Sequence, residues 1–373
     1  MATIAFIYIE EPFFIYHSVG LAIELEKRKE HTISIFYNYK NESILREILP
    51  ENHGIKLIKV APIWRIPLPV YFEIKLAHHI SIYKRYKKQF SEQDVIVSNM
   101  YADLKIKEVI APEKNLMVYT SHGVANRKYS FNDIVKQYDF ILCSSNKEVE
   151  YRREKGQIDA NNYCVGGYLK LDVAKPDKEK IFSNDNEVIL YNPHWDKKLT
   201  SFFKYGFEIL DYFKDHPNMN LIFAPHSLLT KRNLLLRWRL NSYKKYPNIH
   251  MDFGSKKSQN FSYLLNTDIY IGDVSSQALE FCLFGLRKCI FIDVNNKNDT
   301  EYISWKLGPV FSDGFNMEDA LSVVTKTYDD SFKEKQQRVL DLAFTIPKDK
   351  TSTENFTDGL LKFIELKIEK NIL

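Results

Sequence analysis

Short apolar runs alternate with stretches of helical periodicity from the first residues onward. Residues 3–9, 31–37, 55–60, 94–98, 115–120 and 140–144 each read as a nearly continuous apolar strand. Helical patterns over 16–29 and 70–90 lie between them. Strands that are apolar on both faces and separated by helices predict a parallel sheet covered on two sides. Residues 171–186 interrupt this rhythm, being polar and acidic with Pro176 inside, and predict a linker. A second series follows, with strands over 187–191, 220–224, 249–253, 267–271 and 288–292 and a helix over 200–213. The chain closes on an amphipathic helix over 355–368. The expected division is a first domain over 1–170, the linker, a second domain over 187–345, and a C-terminal helical segment over 346–373 that packs back on the first domain. Two doubly wound halves imply a central cleft, and such folds bind ligands at the carboxyl ends of their strands.

Composition supports this picture. At 373 residues and 45% hydrophobic, the chain can fill two cores. A net charge of +4 does not describe a nucleic-acid binder. The positive charge is concentrated in two runs, Lys84 to Lys88 and Lys231 to Lys245. The second interleaves Leu234, Leu235, Leu236, Trp238 and Leu240 with arginines. It reads either as a solvated helix face with a core stripe or as a helix that rests on an anionic membrane. Cys143, Cys164, Cys282 and Cys289 lie in apolar segments with no CxxC pair, as reduced buried thiols of a cytoplasmic protein would. Met1 leads straight into a strand pattern, so no signal peptide is expected, and no window reaches the ~18 apolar residues of a membrane span. The expected location is cytoplasmic, at most peripheral to the membrane.

The clearest chemical signal is the segment from Tyr270 to Phe281, in which a strand ends at Gly272 and Asp273-Val274-Ser275-Ser276-Gln277 opens a helix. A helix N-terminus offers backbone N–H groups and partial positive charge to a phosphate, and hydroxyls there add donors. Gly272 would let a ligand approach the backbone, and Glu280, one turn on, would hold a ribose diol. The plainer reading is a strand–turn–helix with Ser275 as N-cap. Three histidines also follow strands: His122 in Ser121-His122-Gly123, His194 in Asn192-Pro193-His194-Trp195, and His226 in Ala224-Pro225-His226. An imidazole can take a proton from a hydroxyl nucleophile or support a phosphoryl oxygen. Any one of them alone reads more naturally as a structural histidine.

Together these segments resemble the CDP-glycerol glycerophosphotransferase family, the teichoic-acid primases and polymerases of GT-B architecture. Ser121-His122-Gly123 resembles its first-domain His-Gly motif, Ala224-Pro225-His226 its second-domain His-Pro motif, and Asp273-Val274-Ser275-Ser276 its Asp-x-Ser-Ser turn. Tyr138 to Ser145 and Tyr191 to Trp195 resemble two further family strands. The resemblance covers residues 115–310 and implies an α/β, GT-B-like fold: two doubly wound Rossmann-like domains facing a central cleft. It implies that an acceptor hydroxyl attacks the β-phosphorus of a CDP-linked donor and CMP leaves. His122 would be the general base, with Gly123, Arg127 and Lys128 on the acceptor side. His226 would steady the pyrophosphate. Pro225, His194, Gly272, Asp273, Ser275, Ser276, Gln277 and Glu280 would line the donor. The resemblance implies a nucleotide-activated donor and a lipid-linked or polymeric acceptor as partners and calls for no metal or further cofactor; the basic runs add an anionic membrane surface as an optional partner, and the net charge leaves nucleic acid out. The chain departs from the family after His122-Gly123, where Val124-Ala125 stand in place of Pro-Lys, at His194 (family Thr) and at Asp196 (family Arg). These departures keep two other readings open: transfer of a sugar from a nucleotide-sugar to a capsule or lipid-linked glycan, and a nucleotide-sugar binder without turnover.

Overall fold

The computed structural model describes residues 1–63, 73–110, 115–121, 123–124, 132–231, 233–296 and 302–370. Two compact units emerge: one holds the chain up to Val173 together with the C-terminal segment from Phe344, the other spans Ala174–Ala343.

The first unit is built on a seven-stranded parallel sheet: β1 (Thr3–Tyr8), β2 (Thr32–Tyr37), β3 (Lys56–Lys59), β4 (Val95–Ser98), β5 (Leu116–Thr120), β6 (Phe140–Cys143) and β7 (Tyr163–Val165). Their order is 3-2-1-4-5-6-7. The central strands β4, β5 and β6 are buried along their whole length, as apolar residues on both faces of a covered sheet must be. Strand β7 has no counterpart among the predicted strands, because its three half-buried residues are too few to form a readable run. The pattern over 16–29 begins as a 3-10 turn (Pro12–His17) and becomes α-helical only over Val19–Arg28. The pattern over 70–90 is broken at Tyr86 into helices Glu73–Arg85 and Lys87–Ser91, its start lying outside the described residues.

The C-terminal helix Ser352–Glu369 lies on this unit. Thr351 and Glu354 close a reciprocal capping box at its start, and Asp172 Oδ2 accepts the Thr353 N–H at 2.7 Å. Phe363 stacks on Phe140 at 4.3 Å between centroids, and Arg28 pairs with Asp358 at 2.6 Å. Close approach is set by missing side chains. A Cβ on Gly166 would lie 2.2 Å from the Phe356 ring, and one on Gly359 would lie 2.6 Å from Cys164 Sγ.

The second unit carries a six-stranded parallel sheet: β8 (Val188–Asn192), β9 (Asn220–Phe223), β10 (Ile249–Met251), β11 (Ile269–Gly272), β12 (Lys288–Ile292) and β13 (Val310–Phe311), in the order 10-9-8-11-12-13. Strand β13, two residues long, also escapes the sequence pattern. One core joins Ile189, Tyr191, Leu221, Phe223, Ile269 and Ile271 to helix Phe202–Asp215 through Tyr205, Ile209 and Phe213. Chain direction across the sheet reverses between β8 and β11, whose last residues Asn192 and Gly272 face each other in register.

At that reversal Asp273 is fully buried, and its carboxylate ties the two strand ends together. Oδ2 accepts the His194 N–H at 2.8 Å and Oδ1 the Ser201 N–H at 3.0 Å. Its own carbonyl accepts the Trp305 indole N–H at 3.1 Å. Burial pushes the carboxyl up to about 7, against the opposing pull of hydrogen bonds from Ser201, His194 and Thr200.

Two outcomes follow. Gly166→Ala forces the Phe356 ring and its helix outward; chemical denaturation should show a loss of about 1–3 kcal/mol, and an unchanged midpoint would mean the helix is not seated there. For Asp273, the folded pKa lies above the unfolded one, so its contribution is complete at acid pH and is lost as pH rises through about 7. Asp273→Asn does not titrate and leaves one amide N–H facing a backbone donor. The wild-type advantage over Asp273→Asn should therefore shrink by roughly 2 kcal/mol between about pH 5 and 8. An advantage that grows over this range would contradict it.

Candidate functional site

The second unit gathers three loops at the carboxyl edge of adjacent strands. After β8 the chain runs Pro193-His194-Trp195, after β9 Ala224-Pro225-His226, and after β11 Asp273-Val274-Ser275. Besides Asp273, a second buried pin joins them: Asn192 Nδ2 donates to the Ala224 carbonyl at 2.5 Å, and its Oδ1 accepts the Tyr270 hydroxyl at 3.0 Å. The His226 N–H donates to the Pro193 carbonyl at 3.0 Å. All three loops are thus fixed to each other by hydrogen bonds, one between backbone groups and the others through the Asp273 and Asn192 side chains.

Within this frame the rings of His194 and His226 lie 6.0 Å apart, and Trp195 lies 5.7 and 6.1 Å from them. His194 Nδ1 accepts the Asp196 N–H at 3.0 Å, and His226 Nδ1 accepts the Leu228 N–H at 3.2 Å. An Nδ1 that accepts carries no proton, so in each neutral imidazole the proton sits on Nε2. Both rings then act as Nε2–H donors, which suits a phosphoryl oxygen better than proton abstraction. Both are half-buried.

Helix Ser276–Leu283 starts beside them. Ser275, in extended conformation, caps it by accepting the Gln277 N–H at 3.1 Å, and its hydroxyl also meets buried Tyr270. The Ser275 oxygen is therefore committed to the fold, and the groups this helix end presents are backbone N–H groups of its first turn and the half-buried Ser276 and Gln277. Gln277 also reaches the Ser258 carbonyl at 3.5 Å. Glu280 stands one turn above Ser276 and is 3% exposed, while Pro225 is buried in its loop. Gly272 has a different reason from the one expected: a Cβ there would lie 2.8 Å from the Tyr270 ring, so the space belongs to a neighbouring side chain.

His122, Arg127 and Lys128 lie outside the described residues, and Gly123 is half-buried after β5. Next to it, Ser121 Oγ donates to Glu148 Oε1 at 2.6 Å. Glu148 also accepts from the Ser144 N–H and hydroxyl at 2.8 and 2.9 Å and pairs with Arg152 at 2.8 Å, both side chains being 1% exposed. This buried ion pair holds the Ser121 hydroxyl at the end of β5. A second polar cluster, with no counterpart among the expected residues, sits where this sheet reverses between β1 and β4. His79 Nε2 lies 2.6 Å from Glu10 and its Nδ1 3.9 Å from Asp103, which accepts from Ser98 at 2.5 Å and from the Tyr83 hydroxyl. Burial raises the Asp103 carboxyl, opposed by His79, Ser98 and Tyr83. Its members are spread over 93 positions without a motif, so only the topology reveals them. Among the described residues no group of three His, Cys, Asp or Glu side chains is placed to hold a metal ion.

No protein-family model matches the sequence, and no curated protein matches it. Solved structures do match in fold. A protein described as a UDP-N-acetylglucosamine 2-epimerase from Listeria monocytogenes superposes with a TM-score of 0.65 at 12% identity, covering 95% of this chain and 94% of its own. A variant of the wall teichoic acid polymerase TagF soaked with CDPG gives 0.62 at 15%, covering 99% and 90%. S. aureus MnaA in complex with UDP gives 0.62 at 12%, covering 100% and 98%. With two parallel-sheet α/β units and these neighbours, the fold is GT-B-like.

Proposed function

We propose that the chain is a transferase of cell-surface polymer synthesis that binds a nucleotide-activated donor in its second domain. The observation that carries this reading is the convergence of two Nε2–H imidazoles, His194 and His226, on the loops beside the Ser276–Leu283 helix start at the sheet reversal. Positive partial charge at a helix start and imidazole N–H donors on neighbouring strand-end loops, where strand order reverses, suit the phosphates of a nucleotide. The fold shared with proteins soaked with CDPG or bound to UDP supports the same ligand class.

The reaction we infer moves a glycerol-phosphate-like unit from a CDP-activated donor to an acceptor hydroxyl. His122 takes the hydroxyl proton as the new O–P bond forms at the β-phosphorus. The P–O bond to CMP breaks, and the charge passing to CMP is met by His226 and the helix end. Such a displacement depends on positioning and charge stabilisation, which rigid loops provide. Ser276 and Gln277 would contact the phosphates, Glu280 the ribose, and Gly123, Arg127 and Lys128 the acceptor, a lipid-linked or polymeric glycan. Asp273 and Ser275 serve the site through the fold, as pin and helix cap. No further cofactor enters this reading.

One observation favours a second reading. His194 with Asp196 at its Nδ1 replaces the Thr and Arg of the family pattern beside the donor's transferred group. A sugar could occupy that space, and the transfer would release a nucleoside diphosphate.

In a thermal-shift series, CMP and CDP should raise the unfolding midpoint more than GDP, and His226→Ala should weaken nucleotide binding about tenfold through one lost charge-assisted hydrogen bond. Absence of any nucleotide-dependent shift contradicts the donor site. His122→Ala should cut turnover with a CDP-linked donor and crude lipid-linked acceptor roughly 10²–10⁴-fold while leaving the nucleotide Kd unchanged. Release of CMP with a phosphodiester product supports phosphoalditol transfer; release of UDP or GDP with a glycosidic product supports the sugar reading.

A further inference from the structure

The basic Leu/Trp segment carries the core stripe expected of it, but its outer face is apolar as well as charged. Helix Leu234–Asn241 sends only Leu236 and Leu240 inward, toward the second unit's core. Leu234, Leu235 and Trp238 are 75%, 70% and 73% exposed. At ~100° per residue these three span about a quarter-turn directly opposite the buried pair. They form an apolar crest that points straight away from the domain.

Cations stand on both sides of that crest. Arg237 and Lys244 lie against the Phe253 ring at 5.3 and 5.6 Å, and Arg239 lies 4.3 Å from the Phe207 ring. Their charged groups lie over those aromatic faces while the residues stay exposed, and Lys245 is exposed beyond them. No Asp or Glu occurs between Asp215 and Asp252 in the sequence. The carboxylate packed nearest, Asp211, is already engaged by the Tyr243 hydroxyl at 2.9 Å and by Lys214 at 3.1 Å. An outward apolar crest flanked by cations, whose neighbouring carboxylate Asp211 is already engaged, matches one occupant: the interface of an anionic lipid bilayer. There leucine and tryptophan enter the acyl boundary and arginine and lysine meet the phosphates.

We propose that helix Leu234–Asn241 docks the second domain on an anionic phospholipid surface. The docking stands on this surface alone and does not depend on the transferase reading. Among the described residues no helix is long and apolar enough to cross a membrane, so this contact would be peripheral.

Flotation of the full chain with vesicles tests it. Vesicles of equal parts phosphatidylglycerol and phosphatidylcholine should carry the wild type. The bound fraction should fall roughly tenfold with phosphatidylcholine alone, and likewise on going from about 0.1 M to about 1 M salt. The triple variant Leu234→Ser/Leu235→Ser/Trp238→Ser should lose binding to a similar extent with an unchanged far-ultraviolet spectrum. If that variant fails to fold, Lys244→Glu/Lys245→Glu decides, with a drop in anionic-vesicle binding expected. The proposal is overturned if the wild type does not float, or if the deciding variant floats as well as the wild type. It is equally overturned if the wild type is an oligomer that the triple variant splits and neither binds vesicles, since the crest would then be a self-association face.

Discussion

A single buried carboxylate organises the second domain's ligand edge. Asp273 accepts backbone N–H groups from His194 and Ser201, so the turn after β11 and the loop after β8 cannot move independently. Removing those acceptors would strand buried donors, which costs more than a hydrogen bond is worth when made. Burial pushes the carboxyl up to about 7, so the pin changes protonation around that pH. Asn192 performs a parallel task without charge, tying β8 to β9 and to Tyr270. What the two pins secure is the placement of His194, His226 and the Ser276–Leu283 helix start.

Rigid loops at a sheet reversal match what phosphate chemistry asks of a protein. A nucleotide needs donors already aimed at its oxygens, because reorganising them during reaction would consume the stabilisation they provide. In the proposed site, the Nδ1 contacts of the two imidazoles with the Asp196 and Leu228 N–H groups hold the rings and place the neutral-form proton on Nε2. In the first domain the buried Glu148–Arg152 pair holds the Ser121 hydroxyl at the end of β5.

Much of this was legible in the sequence, for local reasons. Among the described residues, long apolar runs announced eleven of thirteen strands, and β7 and β13 escaped because three and two residues carry no pattern. His194, His226 and Ser275 were visible because each directly follows such a run. Their supports were not, since Asp273 reaches partners 79 and 72 positions away and Glu10, His79 and Asp103 share no motif. Gly272 was read as room for a ligand, whereas the Tyr270 ring fills that room. Leu234, Leu235 and Trp238 could be counted in the sequence, but only the fold shows which side of their helix faces out.

The central claim is that the strand-end loops of the second domain hold nucleotide phosphates. Its most direct test is a heteronuclear magnetic-resonance spectrum of the histidine side chains, recorded while CDP is added. The account predicts that the His194 and His226 ring signals, assigned by substitution, move together and saturably, with the proton remaining on Nε2. Signals from these two rings that stay in place at saturating CDP would contradict it.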